Sequence, residues 1–216
     1  MPESLPHLPA DEYVDLPLLD RETVFEGRIW DVRRDTFAYG DEATRIAREY
    51  VDHPGAVAVL VLDDDDRVLL IKQYRHPVRT RDWEIPAGLL DVRHEPALEA
   101  ARRELAEEAD LVASDWAVLV DYFTTPGGSS EAIRIFLARG VSATDAPFDR
   151  EHEEADMELR WVPLDDCVDA VLARRLGNPS LVIGVLAAAA ARARGWRSLS
   201  PANAPWPAHP ANRPEQ

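Results

Sequence analysis

At 216 residues, with 46% hydrophobic and 30% charged side chains, the chain has the size of one soluble domain with appendages and a core of ordinary dimensions. No run approaches the roughly 18 apolar residues that cross a bilayer, so no membrane association is expected. A net charge of −16 argues against nucleic acid as a general partner, because phosphate-backbone binding needs clustered Lys and Arg. The lone Cys167 excludes an intrachain disulfide. With no signal-peptide pattern at the N-terminus, the expected compartment is the reducing cytoplasm.

Residues 1–19 carry four prolines and little periodicity, and are expected to form an irregular arm. Residues 21–37 alternate apolar and polar side chains in a strand-like way, with Val24, Ile29, Trp30 and Val32 among the apolar set. After the Tyr39-Gly40-Asp41 turn, residues 44–52 return as a second strand, giving a β-hairpin or meander. His53-Pro54-Gly55 reads as a breaker. The run AVAVLVL over 56–62 is continuously apolar between turn signals, which predicts a strand buried on both faces. The four aspartates at 63–66 read as a solvated turn in preference to a cation site. Residues 68–74 form the next strand, ending at Arg75-His76, and Trp83-Glu84-Ile85-Pro86 is a short extended piece because the residue before proline avoids helix.

A turn at Ala87-Gly88 then runs into an acidic amphipathic helix. Pro96 suits its first turn, where a missing N–H costs nothing. Ala97, Leu98, Ala101, Leu105 and Ala109 make the apolar stripe, and Asp110 sits at the exit, where a left-handed residue is wanted. Glu104 with Glu107 and Glu104 with Glu108 stand at i, i+3 and i, i+4, so three carboxylates converge on one side. Like charges so placed call for a positive partner, and a hard, oxygen-seeking cation such as Mg²⁺ fits them. Strands follow over 116–123 and 133–139, with the TTPGGSS loop between them and an acidic loop over 141–156 after them. A last strand over 159–163 and helices over 164–175 and 180–195 complete the body, and the five prolines of 196–216 suggest a disordered tail. This order of elements predicts an α/β (α+β) fold, a mixed sheet with helices on its faces.

The central stretch resembles the signature of the Nudix hydrolases, a glycine, a glutamate and an Arg-Glu…Glu-Glu cluster at set spacing. Here these are Gly88, Glu95 and Arg103-Glu104-Leu105-Ala106-Glu107-Glu108, with seven residues between Glu95 and Arg103 as in the family. Six residues in place of five separate Gly88 from Glu95, and Asp110 stands where the family ends its helix with glycine. Neither departure removes a metal ligand. Pro126, fifteen residues past Leu111, looks like the marker of the ADP-ribose pyrophosphatase branch, and the Gln73-Tyr74-Arg75-His76 segment and the acidic loop over 151–156 are similar to that branch too.

The resemblance implies an α/β/α sandwich with a mixed sheet and an N-terminal antiparallel hairpin region. It divides the chain into an arm (1–19), a dimerisation and adenine-binding β-region (20–55), the Nudix domain (56–195) and the tail (196–216). It also implies Mg²⁺-dependent hydrolysis of ADP-ribose to AMP and ribose 5-phosphate, with Mn²⁺ as the alternative ion. Glu104 and Glu108 are the expected metal ligands, Glu107 supports them directly or through water, and the carbonyl of Ala87 is a ligand by resemblance. Arg103 is expected to hold the loop through Glu95 or a neighbouring carboxylate. Glu154, or its neighbour Glu153, is the expected general base. Arg75 is expected to meet a phosphate and Glu131 the terminal ribose side. Trp30, as a stacking face or else a core or interface aromatic, and Arg48 with Glu49 would grip adenine across a homodimer. Glu84 is a further candidate polar group. Competing readings are another nucleoside diphosphate derivative (a sugar such as GDP-mannose, a flavin or a dinucleotide), a non-catalytic ligand sensor, and an acidic interaction module.

Overall fold

Alternation along one apolar strand sets the architecture. The computed structural model describes residues 9–40, 44–146, 148 and 157–212. In β4 (Ala56–Val61) every residue is buried, and successive side chains point to opposite faces. Ala56, Ala58 and Leu60 enter one hydrophobic cluster, while Val57, Val59 and Val61 enter the other. A strand apolar on both faces needs cover on both, and this is the layered sandwich that the run over 56–62 predicts. Each fully buried Val or Leu contributes about 1.5–3 kcal/mol over an exposed one.

β4 pairs in parallel with β9 (Ala132–Ala143) and antiparallel with β7 (Ala87–Leu89). β9 pairs antiparallel with β8 (Leu111–Phe123), which in turn pairs with β11 (Ser200–Pro201). The result is a mixed five-stranded sheet in the order β11-β8-β9-β4-β7. Helix α1 (Ala97–Ala109) packs Ala100, Ala101, Leu105 and Ala109 onto one face. Helices α2 (Leu164–Leu172) and α3 (Pro179–Ala193) cover the other with Leu164, Cys167, Leu181, Val185 and Ala188. Burial pushes the Cys167 thiol up to about 11, so it behaves as a small core hydrophobe. β5 (Arg67–Arg75) lies between β10 (Glu158–Pro163) and β6 (Thr80–Glu84) in a second sheet. A third, N-terminal sheet joins β1 (Leu18–Phe25), β2 (Asp31–Ala38) and β3 (Arg45–Asp52). No helix among the described residues is long and apolar enough to cross a membrane.

Several expectations are corrected in detail. The strand-like stretch 21–37 is two antiparallel strands, divided where residues 26–30 turn. Its apolar residues Val24, Phe25, Ile29 and Trp30 are exposed, so its alternation does not mark a buried face. The strands expected over 116–123 and 133–139 are each longer, because β8 and β9 continue as a paired ribbon from Leu111↔Ala143. Pro96 stands one position earlier, as the N-cap with extended backbone (φ −63°, ψ 142°). The residues 63–66 turn is the solvated kind: the Asp63 carboxylate accepts from the Asp65 and Arg67 amides.

The largest correction concerns the tail. Residues 196–212 are not disordered: β11 adds to the main sheet, and Trp206 and His209 are buried. Proline-rich composition argues against helix and interior strand, but a proline-rich segment still docks in extended form where a buried partner awaits it. Here that partner is Arg134, buried on β9 and doubly bonded to Asp121 (2.8 and 2.8 Å). It donates onward to the carbonyls of Ala204 (2.7 Å) and Pro205 (3.1 Å) and lies 4.8 Å from the centre of the Trp206 ring.

Candidate active site

Two clusters of the expected residues are assembled within the chain. In the first, α1 lies over β7. The apolar stripe of α1 fixes its rotation on the sheet, which turns Glu104 and Glu108 toward the strand. Glu108 is buried, and its Oε2 accepts from the Ala87 amide at 2.9 Å. The Glu104 carboxylate rests on Gly88: a Cβ there would lie 2.5 Å from Oε2 and closer still to Cδ and Oε1. Gly88 therefore leaves a cradle that one carboxylate fills.

For Glu104 and Glu107, the positive partner within the chain itself is Arg103. Its guanidinium forks onto Glu95 (3.1 and 3.0 Å) and reaches Glu104 (2.6 Å) and Glu107 (3.2 Å). The hydrogen bond to Glu95, with the added attraction of Glu104, holds Arg103 firmly protonated. In return, the Arg103 bond holds the Glu95 carboxyl below its ordinary range. The extra residue before Glu95 does not disturb this. It is accommodated in a turn where His94 takes φ +65° and the Glu95 amide donates to Val92. Asp110 closes α1 in the left-handed conformation (φ 54°, ψ 36°) and its side chain accepts from the Phe148 amide at 2.7 Å, a bond that glycine could not make.

No three described His, Cys, Asp or Glu side chains form a ready metal cage. The donor set nonetheless suits a hard cation: Glu95, Glu104 and Glu107 share one guanidinium and Glu108 accepts from the Ala87 amide, so the patch is net anionic, and its donors are carboxylate oxygens. Gly88 keeps the space against Glu104 clear of side chain. The residues present fit the group.

The second cluster lies where the N-terminal sheet meets the Pro126-Gly127-Gly128 loop. The Val51 amide donates to Gly128 and the Ser130 amide to Val51, which ties that loop to the end of β3. Trp30 stacks on His53 with centroids 5.3 Å apart and an interplanar angle of 27°. The His53 side chain is only 7% exposed, and Nε2 lies 3.4 Å from Glu131 Oε1. Its Nδ1 accepts from the Gly55 amide (3.0 Å), so in the neutral ring the proton sits on Nε2, toward Glu131. Burial lowers the His53 pKa, against the opposing pull of Glu131 and Asp52. Glu131 also accepts from the Thr124 hydroxyl at 2.6 Å. An open cleft of ≈ 270 Å³ is lined by Ile29, Trp30, Asp31, Asp52, His53 and Pro54.

Trp30 and Glu131, expected at the adenine and at the terminal ribose respectively, both meet His53 within one chain, and His53 is the residue sequence reasoning passed over. Its neighbours Pro54 and Gly55 mark a chain break, and that signal hid the imidazole. Arg48 and Glu49 are not at this cleft within one chain. Glu49 pairs with Arg34 (2.9 Å), which also meets Glu22 (2.9 Å), in a ladder across the N-terminal sheet. Arg48 stands opposite Asp35, four pairs along from Asp31↔Asp52, roughly 13 Å at strand rise. Arg75 is anchored rather than loose: it forks onto the buried Glu84 at 2.8 and 2.7 Å while keeping 43% side-chain exposure. Glu84 is therefore the support of Arg75. Glu153 and Glu154 lie outside the described residues.

A helix-borne carboxylate cluster on a glycine cradle, at the edge of a mixed sheet covered by helices on both faces, defines a Nudix-type hydrolase site. The NUDIX domain model matches residues 52–180, and the chain belongs to that family. An ADP-ribose pyrophosphatase of Mycobacterium tuberculosis is 42% identical over 173 residues, 80% of this chain and 83% of that protein. An ADP-ribose pyrophosphatase of Bacillus subtilis is 33% identical over 157 residues, 72% of this chain and 83% of that one. The crystal structure of an ADP compounds hydrolase superposes with a TM-score of 0.70 at 21% identity, covering 86% of this chain and 99% of its own; this likeness speaks for the fold.

Proposed function

We propose that the chain hydrolyses the diphosphate of ADP-ribose to AMP and ribose 5-phosphate. The observation that carries this reading is the pairing of two sites on one chain: a carboxylate cluster suited to a cation, and a separate cleft lined by Trp30 and His53, whose imidazole faces Glu131. The similarity to two ADP-ribose pyrophosphatases supports the same substrate.

Glu104 and Glu108, with Glu107 beside them and the Ala87 carbonyl, would hold Mg²⁺, with Mn²⁺ as the alternative. The bound cation would neutralise phosphoryl charge and acidify or orient water. The chain does the rest by positioning. The Ala87 amide fixes one oxygen of Glu108, Arg103 fixes Glu104 and Glu107, and Gly88 lets the loop and helix close on each other. Arg75, oriented by Glu84, is assigned to a phosphate, and its planar fork suits that role. Trp30 offers a face to the base and Glu131 a carboxylate on the terminal ribose side. Glu154, with Glu153 as the alternative, takes the proton of the attacking water.

The active form we infer is a homodimer in which residues 20–55 carry the contact and Arg48 and Glu49 reach the partner's nucleotide. Support comes from the exposed apolar side chains Val24, Phe25, Ile29 and Trp30 of that region. We place the enzyme in the cytoplasm, which a chain with a single thiol suits.

One panel tests the reading: purified protein with Mg²⁺ against ADP-ribose, nucleoside diphosphate sugars, FAD and dinucleotides, with products separated by chromatography. AMP released fastest from ADP-ribose is the expected result; tight binding without AMP release would mean a sensor. Light scattering should give twice the chain mass of 24.2 kDa, and a species of 24.2 kDa would remove the shared nucleotide site.

A further inference from the structure

The C-terminal strap ends on the turn that carries His53. The Pro54–Gly55 peptide is gripped from both sides by imidazoles. On one side the Gly55 amide donates to His53 Nδ1 at 3.0 Å; on the other, His209 Nε2 lies 3.0 Å from the Pro54 carbonyl. The Ala211 amide donates to His209 Nδ1 (3.2 Å), so the ring proton of neutral His209 sits on Nε2 and is donated to Pro54. His209 is buried and packs on Trp206 with centroids 4.6 Å apart, and Trp206 is seated on the buried Arg134. Gly55 is shaped to this contact. It adopts φ +89°, and a Cβ would lie 3.0 Å from His209 Cδ2 and closer still to Nε2.

The orientation of the His53 ring depends on the Gly55 N–H that it accepts, and that N–H belongs to the peptide whose carbonyl His209 holds. Turning the peptide plane would turn the acceptor ring with it. The His53 ring is in turn the surface on which Trp30 stacks and the group that faces Glu131.

We infer that His209 is a positioning residue for the Trp30–His53 cleft and the Glu131 beside it, acting through the Pro54–Gly55 peptide from a strap that contributes no residue to the cleft lining. The inference rests on the reading of Trp30 and Glu131 as substrate contacts. The strap thereby makes substrate affinity depend on residues more than 150 positions from β3 in sequence.

The test uses the full chain and two readouts. The ring C–H proton resonances of His53, assigned by their loss in His53→Gln, report stacking on Trp30 without any reference to activity. Steady-state kinetics on ADP-ribose give KM and kcat separately. In His209→Ala the His53 resonances should lose their Trp30 ring-current shift. KM should rise about three- to tenfold, the value of one neutral hydrogen bond, with kcat within about twofold. His209→Gln, whose amide can still donate to Pro54, should restore both; His209→Leu keeps the buried volume and replaces the Ala variant if that one does not fold. Unchanged His53 resonances and KM, even with a lowered Tm, would overturn the inference and leave His209 a packing residue. If the wild-type protein releases no AMP from ADP-ribose, the substrate reading fails, while the resonance comparison still decides the relay.

Discussion

Gly88→Ala separates the making of the fold from the making of the site. Gly88 lies in β7 with a backbone that other residues adopt, so alanine costs no conformational strain there and should restrict the unfolded chain, worth about 0.4–1 kcal/mol in favour of the native state. The added methyl, however, would stand 2.5 Å from Glu104 Oε2 and closer to Cδ and Oε1, where ordinary contact begins at 3.4 Å. The carboxylate is the end of a flexible side chain, so it yields in place of the backbone, by about 1 Å or more. A shift of that size in a positioned group costs on the order of 10²-fold in rate. The expected result is a Tm within a few degrees of wild type and a kcat for ADP-ribose about 10²-fold lower, measured at saturating Mg²⁺. Turnover within threefold of wild type, with the Tm unchanged, would refute the assignment of Glu104 as a ligand of the catalytic cation.

Three further outcomes are expected. Arg75→Ala leaves the Glu84 carboxylate buried without its fork and should cost about 2–3 kcal/mol in urea unfolding, less than the roughly 3–5 kcal/mol of a fully buried pair because Arg75 is half exposed; adding Glu84→Gln should recover most of it, and additive losses would disprove the coupling. Arg103 holds the Glu95 carboxyl below its ordinary range, so its stabilisation is present above the unfolded pKa of about 4.3 and is lost as pH falls through the folded one. Urea unfolding of Glu95→Gln should therefore show a shallower acid dependence below about pH 4.5 than wild type. His53 is pushed down by burial, so its contribution is whole above the unfolded pKa of about 6.5 and declines as pH falls below it. Proton NMR should find its midpoint under 6.5, and a higher midpoint would mean that the attraction of Glu131 and Asp52 outweighs burial.

Period and spacing made the centre of this molecule legible. Residues 56–62 had to be covered on both faces, and the helix spacing of Ala101, Leu105, Glu104 and Glu108 set both the core side and the carboxylate side of α1. Asp110 could be read as a left-handed exit because few other residues tolerate that conformation. What stayed hidden depends on contacts distant in sequence. Glu84 meets Arg75 only because a hairpin lays β6 against β5, and nothing local signals it. The strap over 196–212 looked disordered because composition reports what a segment cannot form alone. The waiting Arg134, buried on β9, is invisible in the tail itself. The N-terminal sheet misled in the opposite sense, since Val24, Phe25, Ile29 and Trp30 face outward within a single chain.

The parallel pairing of β4 with β9 has a bearing on how the enzyme comes into being. Val57 is matched with Arg134, and everything from β5 to β8, including the whole of α1 and β7, lies within the loop that this pairing closes. Joining ends so far apart carries a chain-entropy cost before any contact returns it, which sets such proteins among the slower folders. On the ribosome, β4 would remain exposed as an apolar strand with one edge unmatched until residues 132–138 had emerged. A nascent chain halted before that point would carry every glutamate of the cluster and still have no centre strand to seat them on.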